Sequence, residues 1–485
     1  MEVKKAENEF VSWSICQECD GRGKKSRRIS KKIRLQYQMA LDQFEKTNEG
    51  PAPVPPKGNL YSCMNCNGSG LVPAFDRPIP DKENYPHVAI IGGGIGGMAL
   101  AVACLHRGIP FTIYERDKNF DARSQGYGLT LQQASNAIKG LGILSLENGV
   151  ISTRHLVHTP EGKVIGEWGT RKWLQSDIKT SSKRTNVHIA RQSLRLALLE
   201  QLGGNNAVQW GHQLIGFNGS EDEGVDLSFQ VDGKIKRAKA DLVVGADGIR
   251  SSVRRLLIGE DTTPLRYLDC IVILGICPLD AIENSNSDLL DSATVFQTAN
   301  GNERIYIMPY SPDSIMWQLS FPMTEEDAKA LSTKGPHALK EEACRRIQWH
   351  DPIPQILWAT QEAMISGYPV YDRELLNAEL LKKSGHVTLI GDAAHPMSPF
   401  KGQGANQALL DALTLARGIF KGCKSSSNWR TAGIRKSVLT EFESEMLERS
   451  AIKVKDSAEA AKFLHSEIVL HESDAPRRWF KNRDA

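Results

Sequence analysis

Three glycines with the spacing G-x-G-x-x-G, Gly92, Gly94 and Gly97, follow directly after the apolar run HVAII. In a strand–turn–helix unit the first glycine allows a tight turn, the second lets the backbone approach a pyrophosphate, and the third lets helix and strand pack closely. Glu115 stands 18 residues after Gly97, at the end of the next apolar run, where its carboxylate can bind ribose hydroxyls. The pattern predicts a dinucleotide site, and this unit alone does not separate FAD from NAD.

A second glycine-rich turn, GDAAHPMSPFKGQGANQALLDA at 391–412, joins the apolar run HVTLI to an alanine- and leucine-rich segment. Because Gly402 and Gly404 have no side chains, backbone N–H groups there can approach a ligand closely. A helix that begins near Gly404 would direct the positive end of its dipole at that ligand. A rigid turn without a ligand is the alternative, but this many glycines cost folding entropy unless something requires them.

Four of the nine cysteines are paired by spacing, in two copies of C-x-x-C-x-G-x-G. They are Cys16, Cys19, Cys63 and Cys66. Each pair can turn back as a knuckle, and the glycines after it free backbone N–H groups to bond the thiolates. Four such sulfurs suit tetrahedral Zn²⁺, while a redox dithiol pair or disulfides are the alternatives. The other five cysteines show no ligand spacing.

Three runs, GGGIGG with YERD, DLVVGADGIRSSVR, and GDAAHPMSPFKGQGANQALLDA, resemble the signatures of the single-component (class A) FAD-dependent aromatic hydroxylases. The resemblance covers roughly residues 87–450 and implies that FAD occupies the dinucleotide site. It implies that Asp392 points its carboxylate at the ribityl hydroxyls and that Pro399 lies against the flavin face. Within the family, YERDKNFDAR, RQSLRLALL and FESEMLERSAIK look most similar to the tetracycline-inactivating monooxygenases.

The same resemblance implies cofactor contacts at further positions beside the glycines of both turns. These are Arg116, Arg123, Arg191, Asp247 and Asn406. Simpler interpretations stay open: Asp247 as a turn residue that satisfies local N–H groups, Arg191 as a surface arginine on an amphipathic helix, and Arg123 as a loop arginine. For His395, packing or helix capping is at least as good an explanation as catalysis.

For activity, the resemblance implies that NADH or NADPH reduces the FAD, which then reacts with O₂ at its C4a position. The hydroperoxide so formed would hydroxylate an aromatic, polycyclic or other electron-rich small molecule. Because a deprotonated phenol activates its own ring, no residue is assigned as a general base. A flavin oxidase or reductase that inserts no oxygen is the alternative. The W-x-W-x-I-P signature of flavin-dependent halogenases is absent.

The elements that must position these residues read as an α/β protein. We expect a Rossmann-like FAD-binding domain in two parts, 87–264 and 376–430, with an antiparallel β-sheet substrate domain, 265–375, inserted between them. We expect a zinc-knuckle region at 1–70, a linker at 71–86 and a helical segment at 431–485. Tyr306, Met308, Trp317 and Phe321 alternate at strand spacing, so they either line a substrate pocket or form core.

The 485 residues are enough for two or three domains, and a net charge of +3 argues against bulk nucleic-acid binding. Residues 22–34 nevertheless hold eight lysines or arginines and no acid. This run could bind RNA or an acidic partner, although a solvated helix face is the commoner explanation. No apolar run is long enough to span a membrane, and MEVKKAENEF lacks an apolar signal core, which predicts a cytoplasmic protein.

The doubled cysteine motif resembles the zinc-binding repeat of the DnaJ chaperone family. This resemblance covers only the two knuckles, since the basic segment between them departs from the repeat, and chaperone activity is not implied. An alternative for the whole chain is thus a flavoprotein that its N-terminal zinc module targets to a partner or to RNA.

Overall fold

The computed structural model describes residues 12–56, 58–123, 126–132, 135–174, 186–220, 224–283, 286–382, 384–424 and 429–475. The strands, in chain order, are β1 (Ser12–Ile15), β2 (Lys24–Ser26), β3 (Leu60–Ser62), β4 (Leu71–Ala74), β5 (Val88–Ile91), β6 (Phe111–Tyr114), β7 (Gly128–Leu131), β8 (Val150–Ile151), β9 (Arg154–His158), β10 (Val164–Trp168), β11 (Val187–Ala190), β12 (Val208–Gln209), β13 (Gln213–Ser220), β14 (Gly224–Val231), β15 (Lys234–Ala240), β16 (Leu242–Gly245), β17 (Leu265–Pro278), β18 (Thr294–Ala299), β19 (Arg304–Ser311), β20 (Ser314–Pro322), β21 (Ile365–Arg373) and β22 (Val387–Leu389). The α-helices are α1 (Lys31–Thr47), α2 (Ile95–Leu105), α3 (Ser135–Lys139), α4 (Thr170–Leu174), α5 (Arg191–Leu202), α6 (Ser252–Ile258), α7 (Glu325–Thr333), α8 (Pro336–Arg346), α9 (Ile353–Ala359), α10 (Ala378–Leu381), α11 (Gly404–Gly422), α12 (Trp429–Ala432) and α13 (Thr440–Phe463).

A five-stranded parallel sheet carries both glycine turns. Its strand order is β12-β6-β5-β16-β22, and every neighbouring pair is parallel. β5 and β16 are buried along their whole length, as expected when both faces of a parallel sheet are covered. The carboxyl ends of parallel strands meet at one edge, so the turns after β5, β6, β16 and β22 lie side by side. This edge is where an open α/β sheet binds its ligand.

A seven-stranded, mostly antiparallel sheet has the order β10-β9-β18-β19-β20-β17-β21. One face packs on α8 and α9 around fully buried Trp317 and Phe321, and the other face is open to a cavity. Together the two sheets confirm the predicted α/β class with an antiparallel sheet beside the parallel one. The sheet also takes in β9 and β10, at 154–168, which lie before the segment 265–375 predicted for it. β9 joins by a parallel pairing with β18, a long-range contact that periodicity does not reveal.

The N-terminal segment forms a small cysteine module, residues 12–74, built from two antiparallel strand pairs, β1 with β4 and β2 with β3. β4 belongs to this module although it lies in the stretch 71–86 predicted as a linker. α1 has no buried residue, and most of the basic run at 22–34 is exposed, so the proposed role of that run in binding stays a prediction. None of the helices in the described ranges combines the length and the apolar composition that a membrane crossing requires.

α13, the 24-residue helix near the end of the chain, packs against α11 and against the 3-10 turn Pro399–Lys401. After it, the tail returns to the edge strand β10, where Ser473 donates its N–H to the carbonyl of Ile165 at 3.0 Å. As far as residue 475, the predicted helical C-terminal segment therefore covers the second glycine turn from behind and reaches the seven-stranded sheet at Ser473.

Candidate functional site

The glycines of the first turn serve two different purposes. Gly92 has φ +113°, and a Cβ there would lie 2.5 Å from the carbonyl oxygen of Ala246; a Cβ on Gly97 would lie 1.9 Å from the carbonyl oxygen of Gly92. Packing alone therefore requires these two glycines. A Cβ on Gly94 would meet no protein atom closer than Arg191 Nη2, at 3.9 Å. The space in front of Gly94 is open, and α2 begins there without a side-chain cap, as a phosphate site requires.

Two side chains from neighbouring elements hold this turn. Glu115, at the end of β6, accepts hydrogen bonds from the N–H of Gly93 at 2.6 Å and from the N–H of Asp117 at 2.9 Å. Arg195, on α5, donates through Nε to the carbonyl of Gly93 at 2.8 Å and through Nη1 to the carbonyl of Phe120 at 3.0 Å. Arg195 was not predicted, although its i, i+4 spacing from Arg191 was a usable signal.

The predicted arginines lie at three different places around the turn. Arg191 is the first residue of α5, and its guanidinium lies 6.0 Å from the ring centroid of Tyr127 and near Gly94. Arg116 is exposed and directly follows Glu115. Arg123 ends the 3-10 turn Phe120–Arg123, and its side chain lies outside the described structure. The structure thus brings Arg191 to the open space in front of Gly94.

Asp247, after β16, uses its carboxylate within the protein. Oδ1 accepts from Ser251 Oγ at 2.5 Å, and Oδ2 accepts from the backbone N–H groups of Ser252 at 2.6 Å and Val253 at 3.2 Å. It therefore caps the first turn of α6, the simpler of the two interpretations that the sequence left open. Burial raises the pKa of Asp247, and these hydrogen bonds oppose that shift. Any contact with a cofactor would have to use the backbone of this turn.

Asp392 is a carboxylate in a different situation. It follows β22, lines the large cavity, and accepts no hydrogen bond from any residue that the structure describes. Burial raises the pKa of Asp392, while His395 and Arg191 favour its charged form. Gly404 lies opposite, since a Cβ there would be 3.4 Å from Asp392 Oδ1. The second turn thus presents an unsatisfied acceptor next to the uncapped start of α11.

The shape of this second turn is fixed by residues around it. Pro399 begins the 3-10 turn Pro399–Lys401, and Gly402 follows with φ +58°. The buried amide of Asn406 donates to the carbonyls of Thr130 at 2.9 Å and Gly402 at 2.8 Å, and accepts from the N–H of Gln132 at 2.9 Å. Asn406 therefore ties the turn to β7. Its predicted contact with the cofactor stays a prediction.

His395 lies behind the turn and not in the cavity lining. Its Nε2 lies 2.7 Å from Asp411 Oδ2, which also accepts from the N–H of Gly391 at 2.8 Å, and Asp411 Oδ1 accepts from Arg449 at 2.8 Å. Burial opposes the ionisation of Asp411, but His395 and Arg449 hold its pKa below the ordinary value. These contacts support packing, not catalysis, as the role of His395. They join β22, α11 and α13 beneath the site.

A cavity of about 1590 Å³ lies between the second turn and the open face of the seven-stranded sheet. This is larger than the roughly 300–1,000 Å³ of a pocket for one small ligand, so it has room for a flat cofactor ring and a substrate. Tyr306 and Met308 line the cavity, whereas Trp317 and Phe321 lie on the other face of the sheet with no exposed surface. The four residues predicted as one set therefore divide into pocket and core.

One buried cation faces this cavity. Arg304, at the start of β19, is 4% exposed; its Nε donates to Gln297 Oε1 at 2.8 Å, and its guanidinium lies 5.0 Å from the ring centroid of Tyr306. It forms no ion pair with an acid among the described residues. Burial lowers the pKa of Arg304 to about 10, so it stays charged at neutral pH. On the adjacent strand, Gln318 Nε2 is enclosed without a hydrogen-bond partner in the described chain. Neither residue was predicted from the sequence.

At the other end of the molecule, the four paired cysteines come together as predicted. Their sulfurs all lie within 4.8 Å of one another, with Cys16 and Cys63 at 3.9 Å and Cys19 and Cys66 at 3.7 Å. A Zn–S bond of about 2.3 Å puts two sulfurs of a tetrahedron about 3.8 Å apart, whereas a disulfide needs about 2.05 Å. Three N–H donors bond the sulfurs, from the backbone of Gly23 and Gly70 and from the Asn65 amide, at 3.2–3.3 Å.

Residues 85–430 match the family model described as the FAD binding domain. The chain belongs to this family. It is 30% identical over 335 residues to the aurachin C monooxygenase/isomerase of Stigmatella aurantiaca, an alignment that covers 68% of this chain and 79% of that protein. The protein is an FAD-dependent monooxygenase, as the signature runs indicated.

Solved structures agree in fold. HpxO of Klebsiella pneumoniae, solved with FAD and uric acid, aligns with a TM-score of 0.63 and 22% identity, over 80% of this chain and 89% of that one. The tetracycline destructase Tet(51) aligns with a TM-score of 0.54 and 18% identity, over 80% of this chain and 93% of that one. The predicted likeness to class A flavin monooxygenases, including the tetracycline-inactivating group, is confirmed at the level of fold.

Proposed function

We propose that the protein uses NADH or NADPH and O₂ to hydroxylate an aromatic or polycyclic small molecule held between bound FAD and the seven-stranded sheet. The main support is the arrangement at one sheet edge: an open space at Gly94, an unsatisfied carboxylate at Asp392, and a cavity with room for a ring and a substrate. Bound FAD supplies the redox chemistry, and the protein supplies position, electrostatics and exclusion of water.

The site residues are proposed to act on successive parts of the FAD. Backbone N–H groups at Gly94 and the start of α2, with Arg191 beside them, hold the pyrophosphate. Glu115 has two carboxylate oxygens with about four lone-pair sites, so it can accept ribose hydroxyls while it still holds Gly93. Asp392 accepts the ribityl hydroxyls, and the start of α11 faces the ring.

The remaining assignments rest on position alone. Gly92 and Gly97 shape the first turn, while Pro399, Gly402 and Asn406 shape the second. Arg116, Arg123 and the turn at Asp247 are proposed as further cofactor contacts, as the family resemblance implies.

Product analysis tests oxygen insertion against the alternative of an oxidase or reductase. FAD-loaded protein is supplied with NADH or NADPH and a panel of phenols, indoles and tetracyclines under ¹⁸O₂. A monooxygenase adds one labelled oxygen atom to a product and consumes nicotinamide in step with it. If every compound returns unchanged while all the consumed nicotinamide appears as hydrogen peroxide, the proposal fails and the oxidase alternative holds.

The substrate is further proposed to carry a negative charge. A buried guanidinium without an anionic partner is costly, and Arg304 faces the cavity together with the unpaired amide donor of Gln318. A carboxylate or a phenolate on the ligand would satisfy both donors. Charged hydrogen bonds of this kind are stronger than neutral ones, so an aromatic acid should be preferred over its neutral ester.

This preference is testable with benzoate, 4-hydroxybenzoate and naphthoate, each paired with its methyl ester. Binding is followed through the visible spectrum of the bound flavin. The acids should bind at least about ten-fold more tightly than the esters, as expected for one hydrogen-bonded charge pair. Arg304→Met should abolish the difference, and Arg237→Met, an exposed arginine on β15, should keep it. If the parent protein bound acids and esters equally well, the proposal of a negatively charged substrate would be wrong.

The cysteine cluster is proposed to hold one zinc ion that folds the module. The sulfur separations, the N–H donors to sulfur and the lack of any larger apolar core in the module support this. Metal analysis of the purified protein should give one zinc per chain. The zinc proposal would be contradicted by protein that is fully folded, contains no metal and has all four cluster thiols free to react with a thiol reagent.

A further inference from the structure

The cysteine module rests on the far ends of the two helices that begin at the proposed FAD site. α2 starts at the glycine turn and α11 starts opposite Asp392, and the two helices pack closely, since a Cβ on Gly96 would lie 3.4 Å from the Cβ of Ala408. Just after the end of α2, Arg107 donates to the carbonyl of Gly21, in the first knuckle, at 3.4 Å. Just after α11, Lys424 Nζ lies 2.7 Å from Asp20 Oδ1.

Two arginines at this junction lack an acid. Arg107 is 3% exposed, and its other hydrogen bond goes to the carbonyl of Ala103 at 2.8 Å. Arg417 lies on α11, and the Nε atoms of both arginines are enclosed without a partner in the described chain. Neither forms an ion pair with a described Asp or Glu. Of the two acids in the first knuckle, Asp20 is paired with Lys424 and Glu18 with Lys25 instead.

Burial lowers the pKa of both arginines, and Arg417 lowers the pKa of Arg107 further, while cysteines oppose the shift: Cys19 and Cys66 for Arg417, and Cys104 and Cys19 for Arg107. The contact of Arg107 with the carbonyl of Gly21, two residues after Cys19, places its guanidinium against the first knuckle. Burial raises the pKa of the Cys104 thiol to about 12, so that thiol is neutral and supplies no charge. The cluster sulfurs are the remaining candidates for the missing counter-charge.

Four neutral thiols could not supply it, but a metal centre would. A divalent ion bound by four thiolates carries a net charge of about −2, because coordination removes the thiol protons. Two guanidinium groups would neutralise that charge. Arg107 lies just after α2 and Arg417 lies on α11, the two helices on which the module rests.

We propose that Arg107 and Arg417 are the counter-ions of a tetrathiolate metal centre, so that metal loading fixes the cysteine module onto the ends of α2 and α11. The inference rests on the proposed zinc site. Without metal, the buried Arg107 and the partly buried Arg417 face uncharged thiols, and the docked arrangement loses its electrostatic support. With metal, the arginines act on the centre from outside its ligand set, and removal of such outer partners weakens metal binding.

The test measures zinc affinity in the full-length, FAD-loaded protein by competition with a chelator, with Co²⁺ absorption as a check on four-sulfur coordination. Arg107→Met and Arg417→Met should each weaken zinc binding by about ten-fold or more. Arg107→Lys should restore most of the affinity, because it returns the charge without the shape of arginine. Arg237→Met, at an exposed position on β15, should stay within about two-fold of the parent, a limit set by the small effect of surface charges.

The outcomes separate the two proposals. If the parent protein binds zinc and both methionine variants bind it equally well, the counter-ion inference is overturned and the zinc site stands. If the parent binds no zinc, both are overturned. If Arg107→Met weakens binding and Arg107→Lys does not restore it, packing and not charge is responsible, which also overturns the inference. Should Arg417→Met not fold, the two Arg107 variants decide alone. FAD occupancy, measured on every variant, identifies loss of the fold.

Discussion

Asp392 differs from the other acids of the sheet edge in having no hydrogen-bond partner within the described chain. Glu115 and Asp247 already accept hydrogen bonds from neighbouring N–H groups, so each has a role in the fold with or without a ligand. Asp392 lines the cavity with free acceptor sites, next to the start of α11. Because the protein itself does not use the hydrogen-bonding capacity of Asp392, a substitution there can change ligand affinity without changing the stability of the fold.

We therefore expect Asp392→Ala to bind FAD about ten-fold more weakly or worse, since a hydrogen bond to a charged group contributes about 1.5–3 kcal/mol. The free energy of unfolding without FAD should change little, because no intramolecular hydrogen bond is lost. Titration of flavin fluorescence and denaturant unfolding of the FAD-free protein measure the two effects. Asp226→Ala, at an exposed position on β14, is the control. Unchanged FAD affinity would contradict the assignment.

A pair of glycine variants distinguishes a glycine that gives the FAD pyrophosphate access to the first turn from one that is required for packing. Gly94→Ala places a methyl group in open space at a φ of −77°, so the fold should be kept while the methyl group obstructs the pyrophosphate. Gly97→Ala places a methyl group 1.9 Å from the carbonyl oxygen of Gly92, so it should lower the free energy of unfolding by about 1–3 kcal/mol or more. Thermal melting of FAD-free protein compares the two. Equal losses of stability would show that Gly94 is also a packing residue.

At the scale of elements, the two faces of β19 and β20 show which structural features can be predicted from a sequence and which cannot. Alternation correctly indicates that residues two apart share a face. It does not give the register between strands, and it is the pairing of Tyr306 with Gln318 that puts Trp317 on the opposite face. The choice of which face meets helices depends on α8 and α9, which follow later in the chain.

The parallel sheet was easier to predict because its information is local. Each site strand is a short apolar run with its glycine or acid within the next three residues, so the edge of the sheet follows from the motifs alone. Arg195 and Arg304 were missed for the opposite reason. Arg195 lies 102 residues from Gly93 in the sequence. The cavity beside Arg304 is lined by residues from the seven-stranded sheet and from the second glycine turn, and it forms only when these two parts of the chain come together.

Substitutions on the two faces of the seven-stranded sheet should have different effects, on stability for one face and on ligand binding for the other. Trp317→Ala should lower the free energy of unfolding by about 3–5 kcal/mol, because it empties a packed site and leaves Thr360 Oγ1 without its indole donor. Tyr306→Ala, on the cavity face, should cost about 1 kcal/mol and should mainly weaken binding of the aromatic acids. Denaturant unfolding and ligand titration measure both. If Tyr306→Ala leaves every ligand affinity unchanged, the open face does not bind substrate.

At the scale of the whole molecule, the cysteine module and the flavin-binding body are stabilised by different means. The body has a large apolar core built around the parallel sheet, α2 and α11. Among the described residues of the module, the buried cluster consists of the four cysteines, with Val72 packed against it. A segment of this size with so few buried apolar side chains is expected to fold only with a structural metal, which is the role proposed for the zinc. The body should then outlast the loss of the metal.

Cys16→Ser combined with Cys63→Ser tests this. The variant should lose its zinc, and residues 12–74 should become sensitive to proteolysis under conditions where the parent resists, while the protein stays yellow with FAD bound. Metal analysis, limited proteolysis read by mass spectrometry, and the flavin spectrum measure the three effects on one preparation. Cys270→Ser, a buried thiol remote from the cluster, is the matched control. A colourless variant would mean that the body cannot form its FAD site without the loaded module, and the two parts would then be one folding unit.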